Sequence, residues 1–156
     1  MKIKLSNLEI DRMNILSSFI HFIPGNDNEL NDFFTTNDID IDFNVLNHKE
    51  NKFQFKILLM IKINYNQKNK KPGYSIFTTM EGIFRVFNVK DDNDYSNLKL
   101  RSALPMLISD LRTHLFDLTS KFPEGGYLLP SIDLSYLIKQ KTRIGITGKK
   151  NETKKN

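Results

Sequence analysis

From Phe53 to Tyr65 every odd position is apolar, in the order Phe53, Phe55, Ile57, Leu59, Ile61, Ile63 and Tyr65, while Gln54, Lys56, Lys62 and Asn64 interrupt the even positions. An apolar period of two over that length predicts a β-strand with one buried face. Leu58 and Met60 make the middle of the even face apolar as well, so this strand is expected at the centre of a sheet with some cover on both sides. A polar connection over 66–73 ends in Pro72-Gly73, and a second run follows from Tyr74 to Val89. That order predicts a β-hairpin. Gly82 interrupts the second arm and marks a bulge or the close approach of another backbone. Upstream, Ile39, Ile41, Phe43 and Val45 alternate with Asp38, Asp40, Asp42 and Asn44. This is another strand, and its acidic face must stay wet, because neighbouring carboxylates resist burial together. Residues Ile3 to Met13 read as a weaker edge strand. Residues 14–37 show no clean period and carry Phe19, Phe22, Phe33 and Phe34 around Pro24-Gly25, as a crossover segment with apolar anchors would.

After the acidic turn Asp91 to Asp94 the period changes. Leu104, Leu107, Ile108, Leu111, Leu115, Leu118 and Phe122 recur at steps of three and four, which predicts a long amphipathic helix with Met106 and Phe116 widening its apolar face. Pro105 suits the first turn, where no N–H is needed, and Pro123 bounds the other end. A shorter helix is expected after Pro130, with Leu134, Leu137 and Ile138 on one face. The fold class is therefore α+β: an antiparallel sheet followed by a long and a short helix. Residues 1–141 are expected to form one domain and 142–156, rich in Gly, Thr, Lys and Asn, a basic flexible tail.

Charge changes the picture only at one end. Residues 139–156 hold seven Lys or Arg against Glu152 alone, whereas the remainder has 16 basic and 17 acidic residues, from totals of 23 and 18. A nearly neutral body lacks the broad basic footprint of a nucleic-acid-binding protein. A nucleic-acid-binding module acting through the tail is the rival class. With no cysteine there is no disulfide, thiolate metal site or thiol nucleophile, which fits a cytoplasmic protein. The amino terminus lacks the apolar stretch of a signal peptide, and the longest aliphatic run, Ile57 to Ile61, is far too short to span a bilayer.

Catalytic chemistry is hard to assemble. His114 has Asp110 and Asp117 at helical spacing, but three groups along the solvent side of one helix suit weak pairing better than metal binding. The run Gly145 to Lys149 has two residues between its glycines where a phosphate loop needs four. No enzyme, metal or cofactor is expected. The 12 phenylalanines are the remaining unusual feature. Phe19, Phe22, Phe33, Phe34 and Phe43 suit either core filling or the border of an apolar groove.

The element order, Glu81-Gly82-Ile83-Phe84 in the hairpin, the segment from Leu104 to Pro123, the following Tyr127 to Leu137 stretch and the alternating Ile39 to Phe43 run together resemble the SecB protein-export chaperones over residues 3–140. The resemblance implies a four-stranded antiparallel sheet with two helices, assembled as a dimer of dimers. It further implies capture of unfolded or precursor polypeptides in apolar grooves without nucleotide or metal. On it, a substrate-binding groove is expected at Phe19, Phe22, Ile39, Ile41 and Phe43. Export members dock on the translocase ATPase through an acidic sheet surface. Here the hairpin arm offers Phe77, Thr79 and only Glu81, and the tail is basic. A family variant dedicated to an antitoxin is the alternative to a role in export.

Overall fold

The computed structural model describes residues 6–26, 38–65 and 70–142. Phe33, Phe34, Ile3 and the tail beyond 142 lie outside them. Four strands form one antiparallel sheet: β1 (Leu8–Ile23), β2 (Ile39–Asn47), β3 (Gln54–Ile63) and β4 (Gly73–Val86), in the order β1-β4-β3-β2. The hairpin and the central position of β3 agree with the alternation that predicted them. Phe55, Ile57, Leu59, Ile61 and Ile63 are all buried on the side that faces the helices. From β4 that side receives Tyr74, Ile76, Met80, Phe84 and Val86, and Phe55 stacks on Phe84 with centroids 5.4 Å apart.

Each fully buried aliphatic chain of this kind contributes on the order of 1.5–3 kcal/mol. The hairpin is closed by Asn64, which adopts a positive φ of 49°. Its buried amide donates to the Lys71 carbonyl at 2.8 Å and accepts from the Lys71 N–H at 3.1 Å. A short polar side chain that can bond the backbone on both sides is suited to such a position.

The amino-terminal half corrects the reading of 14–37 as an irregular crossover, since residues 14–23 continue β1 to Ile23. The pattern failed because β1 slips register twice against β4, between Ile10 and Arg12 and between Ile15 and Ser17. Each bulge inserts a residue and inverts which parity faces the core. Leu8 and Ile10 therefore share a face with Met13 and Ile15 and then with Ser18, Ile20 and Phe22, each opposite an even residue of β4.

Two helical details also differ from expectation. The acidic turn is the start of a helix, α1 (Asp92–Asn97), where Asp91 caps the N-terminus by accepting the Asp94 N–H at 2.7 Å. Asp92 and Asp94 then sit in the first turn, where the helix dipole favours negative charge. A π-helical stretch, Leu98–Ala103, joins α1 to α2 (Leu104–Thr119). Pro105 lacks the N–H that would bond the carbonyl four residues earlier, and its ring would crowd that group. The widened turn just before it, in which the Leu104 N–H reaches the Lys99 carbonyl, carries the chain past this obstacle.

α2 buries Leu104, Leu107, Ile108, Leu111 and Leu115 on the sheet, as its spacing predicts, whereas Leu118 is exposed. It ends at Thr119 rather than running on to Phe122. The Thr119 hydroxyl donates to the Leu115 carbonyl at 2.7 Å and accepts the Tyr127 N–H at 2.6 Å, so one buried side chain ends the helix and anchors the loop after it. Gly82 is neither bulged nor against another backbone. Its pairing is regular on both sides, opposite Met13 and Ile57. A Cβ there would lie 2.5 Å from the Phe84 ring and 3.1 Å from Leu107. The glycine lets α2 settle onto the sheet. A last helix, α3, occupies 134–142.

Candidate functional site

Among the described residues no group of three His, Asp or Glu side chains could hold a metal ion. His114 is half-buried and its Nε2 has no hydrogen-bond partner. Burial pulls its pKa down against the opposing pull of Asp110 and Asp117. Lys99 is the other perturbed cation. Its ammonium lies 3.5 Å from the Tyr95 ring centroid and donates to Asn47 Oδ1 at 2.6 Å. Burial lowers its pKa and Asp92 opposes the shift. The first contact holds Lys99 against α1, and the second ties the π-helical turn to the end of β2. No helix among the described residues is long and apolar enough to cross a membrane. Exposed apolar surface is what the described residues offer as a candidate site.

Of the five residues singled out from the sequence, three are brought together. Ile39, Ile41 and Phe43 form one row on the helix side of β2, opposite Ile63, Ile61 and Leu59 of β3. Ile39 and Ile41 are half-buried, while Phe43 is 4% exposed and belongs to the core. α3 closes over this row. Lys141 pairs with Asp42 at 2.5 Å and sits 5.9 Å from the Phe43 centroid, and Leu134, Leu137 and Ile138 pack against the core beside it.

Phe22 also faces the helix side, but from β1, the opposite edge of the sheet. Three strand spacings, about 14 Å, separate the two edges. There it packs on Tyr74 at 5.7 Å, within a cluster that Phe122 and Tyr127 complete. The Tyr74 hydroxyl donates to the Gly125 carbonyl at 2.5 Å, and burial, with Glu124 nearby, raises its pKa. Phe19 lies on the other face of the sheet, 53% exposed.

That open face carries a feature missing from the sequence reading. Phe19 and Tyr65 meet edge to face at 6.4 Å, Tyr65 and Phe77 at 5.2 Å, and the Lys70 ammonium stands over Tyr65 at 5.3 Å. Part of the signal was available, since Phe77 has the parity opposite to the buried positions of β4. The bulges in β1 hid the rest. A second incompletely covered strip runs along the helix side of β1, beside α2. Ile10, Ile15 and Met106 are exposed there, and Ile10 and Met13 of β1 line a cleft of about 360 Å³ with Met106, Ser109, Asp110 and Thr113 of α2.

No protein-family model matches the sequence, and no curated protein does. Solved structures do. The SecB-like chaperone Rv1957 of Mycobacterium tuberculosis, in complex with a ChAD peptide from the Rv1956 HigA1 antitoxin, superposes with a TM-score of 0.59 at 14% identity, covering 81% of this chain and 91% of that one. A protein of unknown function from Streptococcus agalactiae matches more loosely, with a TM-score of 0.42 at 12% identity over 82% of this chain and 100% of the other. The first likeness defines the fold: the chain has the SecB-like arrangement of a four-stranded antiparallel sheet with helices after it.

Proposed function

We propose that this chain is an ATP-independent holding chaperone that captures unfolded polypeptide on apolar surfaces. The observation that carries the reading is the uncovered length of β1 within a SecB-like sheet, with apolar side chains exposed on both of its faces: Ile10 and Ile15 toward the helix side, Phe19 toward the open side. Exposed apolar patches of this kind mark sites of association. Unfolded chains supply the complementary side chains, and each Å² buried gains roughly 25 cal/mol. Ordering a client consumes several kcal/mol of that gain, so capture requires contact along several surfaces at once. Self-association into a dimer of dimers belongs to the same proposal and would multiply those surfaces. Light scattering showing a stable monomer at micromolar concentration would count against it.

Aggregation of a slow-folding client, followed by scattering without nucleotide, tests the central claim. Suppression near equimolar chaperone is expected, and none at that ratio removes the reading. The rival, nucleic-acid binding through the tail, predicts instead that deleting residues 142–156 abolishes the protein's main affinity. A holding chaperone keeps its client binding after the same deletion.

A client-dedicated role, with an antitoxin as the client, is favoured over docking on the translocase ATPase by the chemistry of β4 within the open face, where the other acids of that face, such as Asp40 and Asp42, lie on the flanking strands. Glu81 is the one acid on β4, and it is already engaged by Lys56 at 2.8 Å and by Asn14 at 3.1 Å. Little unpaired negative charge is left along that strand to attract a basic partner. The peptide-bound relative is consistent with the dedicated role. Co-expression separates the two: protection of one specific antitoxin from degradation supports it, and accelerated export of many precursors contradicts it.

A further inference from the structure

 α1 with the π-helical turn after it and α3 leave a cleft of about 530 Å³ between them, with a floor and a rim of different character. Leu100 from the π-helical turn and Leu134 and Ile138, one turn apart on α3, form the floor and are half-buried. Arg101 and Lys139 stand at the rim, both exposed, and neither forms an ion pair among the described residues. Ser135 adds a hydroxyl, and no carboxylate lines the cleft. The acid that opens α3, Asp133, is turned back on its own helix and accepts the Tyr136 N–H at 2.9 Å. An apolar floor between two unneutralised cations is complementary to an apolar segment flanked by negative charge.

We propose that this cleft binds client segments in which aliphatic or aromatic side chains are flanked by Asp or Glu, so that the chaperone selects acidic-apolar stretches over basic-apolar ones. The inference rests on the holding-chaperone reading and narrows its substrate class. The apolar side chains would enter the floor between Leu100 and Ile138. The flanking carboxylates would meet Arg101 and Lys139, whose exposed positions favour selectivity and association rate over raw affinity.

The test uses the full chain and two short fluorescein-labelled peptides with the same Leu- and Phe-containing centre, one flanked by Asp and Glu and one by Lys. Anisotropy titration should show the acid-flanked peptide binding about three- to tenfold more tightly, with the gap shrinking at high salt. The double variant Arg101→Glu/Lys139→Glu should reverse the preference, and Arg101→Gln/Lys139→Gln should abolish it. Both positions are exposed and unpaired, so native melting is expected in each variant and is checked by circular dichroism. Equal binding of the two peptides by the unmodified protein overturns the inference and leaves the holding-chaperone reading standing. So does an unchanged preference in the natively melting variants. Binding of neither peptide overturns both. A single-stranded oligonucleotide that displaces the acid-flanked peptide at similar concentration also overturns it, because the rim would then be reading negative charge without regard to the apolar centre.

Discussion

β3 and β1 are both long and rich in aliphatic and aromatic residues, yet they do opposite things in the molecule. β3 lies between two strands and under the helices, and every second side chain from Phe55 to Ile63 is buried. β1 is an edge strand with one neighbour, and Ile10, Ile15, Leu16 and Phe19 remain exposed along it. Composition does not separate the two; position in the sheet and the completeness of the cover over each do. Edge strands with exposed apolar side chains invite association, and the two bulges in β1 are a common means of limiting uncontrolled pairing there. The apolar content of β3 is therefore a stability feature, and that of β1 is available for binding.

The strongest way to sharpen this comparison is to place a charge on the buried side. Phe43→Asp removes a ring that β3 and α3 enclose and leaves an unpaired carboxylate in the core, which should cost on the order of 3–5 kcal/mol or more. Circular dichroism should show a lost or strongly lowered melting transition. Retained melting with lost client binding would instead make Phe43 a groove wall that α3 uncovers, and the row Ile39, Ile41 and Phe43 would join the exposed side of the comparison.

Next in size is a matched pair of truncations. Ile57→Ala in β3 should cost about 2–5 kcal/mol, because its site is closed on all sides. Ile15→Ala in β1, at 37% exposure, should cost under about 1 kcal/mol. Urea denaturation of both variants measures the difference. Equal costs would mean that β1 is covered in solution, as it would be if a second copy of the chain packed along it, and the contrast between the strands would belong to the isolated chain only.

How well each region could be read from sequence follows the same division. β3, β4 and α2 were legible because regular geometry and burial coincide in them, so Ile57 to Ile63 and Leu104 to Leu115 carry undisturbed periods of two and of three to four. β1 was not, because Asp11 and Leu16 are the extra residues at its register shifts and each inverts the alternation. Phe19 was expected in one groove with Phe22 and the β2 row, but it lies on the opposite face of the sheet. Ile39, Ile41 and Phe43 were correctly placed on one side of one strand. What covers that side depends on α3 folding back across the sheet, and no local pattern encodes that contact. The start of α1 was readable in principle, since Asp91 with Asp92 and Asp94 is a capping pattern, but the same acidic residues also suit a turn.

The smallest expected effect concerns a polar link that joins the two strands across the open face. Glu81 of β4 accepts from Asn14 of β1 and pairs with Lys56 of β3. The hydrogen bonds from Lys56 and Asn14 hold its carboxyl below the usual glutamate range, helped by the charges of Lys56 and Arg12 and opposed by partial burial. A carboxylate whose folded pKa is depressed stabilises the fold above its unfolded pKa, about 4.3, and that contribution is lost as pH falls through the lower folded value. Because Lys56 is well exposed, the contribution should be under about 1 kcal/mol. Urea titrations of the unmodified protein and Glu81→Gln at neutral and acidic pH provide the measurement. The variant should be slightly less stable at neutral pH, and the gap should close as the pH drops below about 4.3. A gap that stays constant with pH would mean that this link acts through its hydrogen-bond geometry alone, without help from the charge on Glu81.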